Sequence, residues 1–154
     1  GHVARPNPQW RAFDGAVEAL AIFHGPHAYI SPAWYPAAEA VPTWNYTAVH
    51  AHGRPVVVDD PDTVRDRLAR MVAKNEAGRP DPWSMDRLSE RYVEGMLRGL
   101  VAFRMPIERI EGKAKLNQNH PPGNRDGAIA GLRATGRAED AVVADLMAAA
   151  AREK

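Results

Sequence analysis

The sequence predicts an α+β protein built on an antiparallel sheet closed into a small β-barrel. Extended segments follow one another with no crossover helix between them, which favours antiparallel pairing. A pair of amphipathic helices interrupts the strands midway, and two more helices end the chain. Closure is the usual way for such a sheet to lose its edges. At 154 residues one domain is expected over 1–154: a barrel in 1–120 with a helical insertion at about 61–98, then C-terminal helices in 121–154.

The chain opens on strand-like residues and breaks at Pro6 and Pro8. Residues 16–23 (AVEALAIF) are apolar except for Glu18 and read as a strand cut short by Gly25-Pro26; 27–31 continues as a second extended piece. A loop with prolines at 32, 36 and 42 leads into VPTWNYTAVHAHG, residues 41–53. Gly53, Arg54 and Pro55 then read as a turn into Val56, Val57 and Val58, which makes a hairpin. Asp60 before Pro61 is an N-cap before an N1 proline, and Gly78 stops that helix; Val64, Leu68, Met71 and Val72 form its apolar stripe. A second helix is expected over 86–97, with Leu88, Tyr92, Val93, Met96 and Leu97 on one side. Residues 100–115 read as strands interrupted at Pro106. Pro121-Pro122 introduces helices near 125–133 and from 138 onward, with Val142, Val143, Leu146 and Met147 turned inward.

Composition excludes several classes. With no cysteine there is no disulfide, thiolate metal site or cysteine nucleophile. Apolar runs such as 19–23 and 147–151 are far shorter than the ~18–20 residues of a membrane span, so the expectation is a cytoplasmic protein that makes no membrane contact. A formal charge of +1 gives no global electrostatic reason to bind nucleic acid. The helix at 86–98 sets Arg87, Arg91 and Arg98 against Asp86, Glu90 and Glu94, and the 75–85 connection is too long for a helix-turn-helix. No GxSxG elbow, Walker loop or GxGxxG occurs.

Two constellations remain. Tyr29, Trp34, Tyr35, Trp44 and Tyr46 are concentrated within eighteen of the 154 positions, and beside Ser31, Thr43 and Asn45 they form either core or interface, or the mixed wall that a planar heteroaromatic ligand needs. Strand alternation sets Thr43, Asn45 and Thr47 on a hydrogen-bonding face and Trp44, Tyr46 and His50 on a packing face. Lys113 and Lys115, in line with Asn117, Gln118 and Asn119, are either solvated surface or an anion site such as one for phosphate, which Arg5 or His2 could join. His24, His27, His50 and His52 lie on neighbouring strands without a carboxylate in a convincing ligand position, so no metal site is expected.

The runs FHGPHAYISPAWY, VPTWNYTAVHAHGRP, PWSMDRL and YVEGMLRGLVAFRMPIERIEGKAKLNQN closely resemble the PaiB-type family of FMN-binding negative transcriptional regulators. The resemblance implies a split β-barrel similar to pyridoxamine-phosphate oxidases and flavin reductases, with flanking helices, and a homodimer with FMN near the subunit interface. It assigns cofactor contacts to Ser31, Trp34 and Tyr35 of SPxWY, to Thr43, Trp44, Asn45 and Tyr46 of PTWNY, and to Lys113, Lys115, Gln118 and Asn119 of KxKLxQN. Lys115 and Arg5 are expected toward phosphate, and Thr43, Asn45 and Ser31 toward the ribityl chain or ring edge. Members of the family begin with a further segment holding the opening strands, and this sequence starts at what resembles their third; if nothing replaces those strands, an open barrel edge is expected. Asn117 stands where the family commonly has Ser. A flavin-dependent oxidoreductase or flavin reductase is the alternative; no residue is assigned as its catalytic base. DNA binding rests on the family label alone.

Overall fold

The computed structural model describes Gly1–Arg152. Its elements are strands β1 His2–Ala4, β2 Ala19–Ile30, β3 Thr43–Gly53, β4 Val56–Val58, β5 Leu100–Arg104 and β6 Ile107–Lys115, and helices α1 Pro61–Glu76, α2 Glu90–Arg98, α3 Pro122–Ala134 and α4 Ala138–Arg152. The chain is therefore a mixed fold of antiparallel sheet and helix. Its contacts group into two compact units, residues 1–19 with 52–108 and residues 20–51 with 109–154. The borders between them fall inside β2, β3 and β6.

The first unit holds the sheet β1-β5-β4. β5 is central and antiparallel to both neighbours, with His2 opposite Ala102 and Val56 opposite Arg104. Val101 and Ala102 of β5 are buried, and the rings of Phe13 and Phe103 meet at 4.7 Å. The start of α1 follows the sequence closely: the Asp60 carboxylate accepts from the Thr63 N–H at 2.9 Å, and Pro61, which lacks an N–H, occupies the first turn. These bonds hold the Asp60 carboxyl below its ordinary pKa, the Thr63 hydroxyl contributing most. Gly78, at φ +84, takes the left-handed turn just beyond the helix. Val64 is buried, whereas Met71 of the expected stripe is exposed. The second helix begins later than its apolar spacing suggests, because Ser84 caps a single 3-10 turn over Met85–Arg87 and Ser89 opens α2. Val93 is its buried residue, and the Arg65 guanidinium bridges to the Glu90 carboxylate.

Three expected features are corrected. β3 and β4 are not a hairpin; they belong to different sheets. The backbone around Pro55 bonds elsewhere: its carbonyl accepts from Gly15 N–H at 3.0 Å, Val57 N–H donates to the Phe13 carbonyl, and β4 pairs with β5. Nor does Gly25-Pro26 end a strand, since β2 runs through both residues. β2 is at the sheet edge, where a residue without an N–H is tolerated. Residues 16–18 are not strand; the Asp14 carboxylate turns the chain there by accepting from Ala16 N–H at 2.8 Å.

The second unit holds the sheet β2-β3-β6 with α3 and α4. Its core joins Ala28 and Ile30 of β2, Tyr35, Leu116, Ala128 and Leu132 of α3, and Val143, Ala144 and Met147 of α4. Small residues let α3 approach the Pro32–Trp34 turn closely. A Cβ on Gly127 would overlap the Trp34 carbonyl, and one on Gly131 would enter the Trp34 ring. All nine residues of β6 are exposed. Among the described residues no helix is long and apolar enough to cross a membrane.

Candidate functional site

The three motifs singled out in the sequence come together in the second unit. β6 ends at Lys115, whose ammonium donates to the Thr43 hydroxyl at the start of β3. The next residue, Leu116, is buried, and Asn117 then turns the chain with φ +60. Asn tolerates this left-handed conformation better than most residues with a side chain. Its side-chain amide donates to the Tyr35 hydroxyl at 2.9 Å, joining KxKLxQN to SPxWY. Gln118 folds back on the strand end: its carbonyl accepts from Leu116 N–H at 2.8 Å and its amide donates to the Ala114 carbonyl at 2.7 Å. Asn119 is exposed beside this turn, and the His120 ring lies 5.5 Å from that of Tyr35.

The other motif residues have distinct placements. Ser31 caps the Pro32–Trp34 turn by accepting from Ala33 N–H at 3.2 Å. Trp34 packs against the core from its edge. Trp44 is 53% exposed, with Tyr29 edge-on at 6.0 Å and the His27 ring at 5.9 Å. Tyr46 lines a cavity of about 310 Å³ with Ala48, His50, Glu111, Gly112 and Lys113. Asn45 is fully buried, and its amide donates to the Met147 sulfur at 3.2 Å. The expected division of β3 into a hydrogen-bonding face for ligand and an aromatic face for packing is thus reversed at Trp44 and Asn45. α4 places Met147 against Asn45, whereas Trp44 stays half exposed. Arg5 belongs to the first unit, where it donates to the Arg98 and Leu100 carbonyls at 2.8 and 2.9 Å and lines a cavity of about 420 Å³ with Trp10, Leu97 and Val101.

Met147 and His120 carry no sequence signal for these contacts, because each depends on a partner far away in the chain. The His27–Glu139 pair at 3.3 Å is equally invisible from spacing. Among the described residues no three His, Asp or Glu side chains form a metal-holding group.

This donor set suits a phosphorylated, flat cofactor. Lys115 and Lys113 supply positive charge without a carboxylate partner among the described residues, Thr43 supplies a hydroxyl, and Trp44, Tyr29 and Tyr46 supply aromatic surface. The carbonyl oxygen of the buried Asn117 amide has no hydrogen-bond partner among the described residues. A buried acceptor left in this way costs stability, which points to a turn held for more than packing.

Residues 1–109 match the family described as "Putative FMN-binding domain", a flavin-binding class of protein. The chain belongs to that family, and its cofactor is FMN. It is 44% identical over 119 residues to the protease synthase and sporulation protein PAI 2 of Bacillus subtilis, covering 77% of this chain and 56% of that protein. An uncharacterised Aspergillus fumigatus protein is 31% identical over 172 residues, covering 88% of this chain and 66% of that one. The chain thus spans less than two thirds of the length of both relatives. Among solved structures, the flavocytochrome Anf3 of Azotobacter vinelandii superposes with a TM-score of 0.52 over 74% of this chain and 48% of that one. At 13% identity this is a likeness of fold alone.

Proposed function

We propose that this protein is a split-barrel flavoprotein of the PaiB-type regulators, holding FMN beside a homodimer interface. The observation that carries the reading is the joining of three separated motifs through Lys115–Thr43 and Tyr35–Asn117. Lys115, Lys113 and Thr43 hold the phosphate, and the exposed Trp44 and half-buried Tyr46 flank the ring. Ser31, whose hydroxyl can still donate, and Asn119 reach the ribityl chain. Tyr35, Asn45, Trp34 and Gln118 support these contacts from behind. Arg5 belongs to the first unit and is assigned no contact in this cluster. When bound, FMN supplies electron or hydride transfer. The chain's own groups bind and orient it.

The dimer reading is supported by the exposed side chains of Leu20, Ile22, Phe23, Tyr29, Val49 and Ile110 on β2, β3 and β6. Monomers rarely leave so much apolar surface in one region uncovered. A regulatory role follows the family and the relationship to PAI 2. Arg65 and Arg70 of α1 are paired with Glu90 and Asp66, so a DNA-binding role rests on the family relationship alone. The decisive measurement is FMN titration followed by quenching of flavin fluorescence, together with sedimentation of the loaded protein. Saturable binding at micromolar flavin by a dimer supports the reading; a monomer that leaves flavin fluorescence unchanged refutes it.

A further inference from the structure

We propose that the Tyr35–Asn117 pair is a positioning latch for the phosphate subsite, setting the direction of Lys115 and so the preference for FMN over unphosphorylated flavin. This deepens the flavin reading above and rests on it. Asn117 is the one non-glycine residue with positive φ among the described residues. The turn is fixed from three sides: the Asn117 amide on the Tyr35 hydroxyl at 2.9 Å, the Asn117 carbonyl accepting from His120 N–H at 3.0 Å, and Gln118 closing on Ala114 and Leu116. Tyr35 and Asn117 are both buried, at 8% and 4% exposure, whereas Lys115, two residues earlier, is exposed. A lysine on a flexible stem reads phosphate as a point charge and gains affinity only where its strand is held still. The latch supplies that stillness without touching ligand. It also gives the buried Asn117 amide a function that packing does not explain, since an apolar residue there would leave no acceptor unpaired.

The test compares FMN and riboflavin affinities in the wild type, Tyr35→Phe, Asn117→Gly, Lys115→Met and the double variant Tyr35→Phe/Lys115→Met. Asn117→Gly keeps the left-handed turn while removing the amide, so it guards against a Tyr35→Phe chain that does not fold. The latch predicts FMN affinity lower by about tenfold in each latch variant, about 1.4 kcal/mol, with riboflavin affinity changed less than about twofold. It also predicts that Tyr35→Phe adds little once Lys115 is Met, because both act through one contact. Equal weakening of both flavins, an unchanged FMN-to-riboflavin ratio, or simple additivity in the double variant overturns the latch while leaving flavin binding intact. A wild type that binds neither flavin overturns the flavin reading, and the latch with it.

Discussion

The side-chain amide of Asn45 donates to the sulfur of Met147, tying β3 to α4 across 102 positions of sequence inside the core. Met147→Leu conserves volume, and such swaps usually cost less than about 1.5 kcal/mol. Here the substitution also strands a buried amide, so the expected loss is about 1–3 kcal/mol in urea unfolding. Adding Asn45→Leu removes both partners, and most of that loss should return. A Met147→Leu chain as stable as wild type would show that the sulfur contact contributes nothing.

Gly127→Ala sets two effects against each other. Alanine improves helix propensity by about 1 kcal/mol over glycine. The new Cβ, however, meets the Trp34 backbone carbonyl, which cannot rotate away as a flexible side chain would. Overpacking of this kind costs about 1–3 kcal/mol, so a net fall in melting temperature is expected.

Trp44→Ala separates binding from stability. The indole is half exposed, so unfolding free energy should change by no more than about 0.5 kcal/mol. Flavin affinity should fall by about 1–3 kcal/mol, the usual worth of stacking a flat heterocycle on an aromatic side chain. Isothermal titration beside urea melts reads both quantities.

Ile110→Asp introduces charge on an exposed apolar residue of β6. The variant should keep its circular dichroism, and if the proposed dimer packs through this face, sedimentation velocity should show a shift toward monomer relative to wild type. Persistence of the dimer would place the interface elsewhere.

Acid stability carries a definite sign. Asp60, bonded by the Thr63 hydroxyl and N–H, and Glu90, bonded by Arg65, have folded pKa values below their ordinary 3.8 and 4.5. A depressed carboxyl contributes stability that is present above its unfolded value and lost as pH falls through the folded one. The first unit should therefore weaken below about pH 4, and Asp60→Asn should flatten that dependence. Both carboxylates are exposed, so added salt should reduce the Glu90 contribution most.

Sequence showed most where the controlling interaction is local. Asp60, Pro61 and Gly78 mark α1 because caps and left-handed turns are encoded within a few residues. The motif clusters were equally visible as unusual mixtures of aromatic and polar groups. The facing of Asn45 and Trp44 was not, because alternation sorts a strand into two faces without saying which one a distant helix covers. Pairing failed at β3 and β4 for a similar reason: the turn at Gly53 and Pro55 has hairpin residues, but residues 13–15 and β5 compete for its backbone and win. Pro26 misled because edge position, which makes it harmless, belongs to the sheet as a whole.

Gly25 has a mechanical consequence. Its missing side chain leaves a notch that the Thr47 hydroxyl fills, and any Cβ at that position would collide with it. Sliding β2 by one residue along β3 would bring His24 or Pro26 to the hydroxyl and turn every side chain of the strand over. The pair thus acts as a detent, holding two long ribbons in a single frame at a point where neither large side chains nor a tight turn does so.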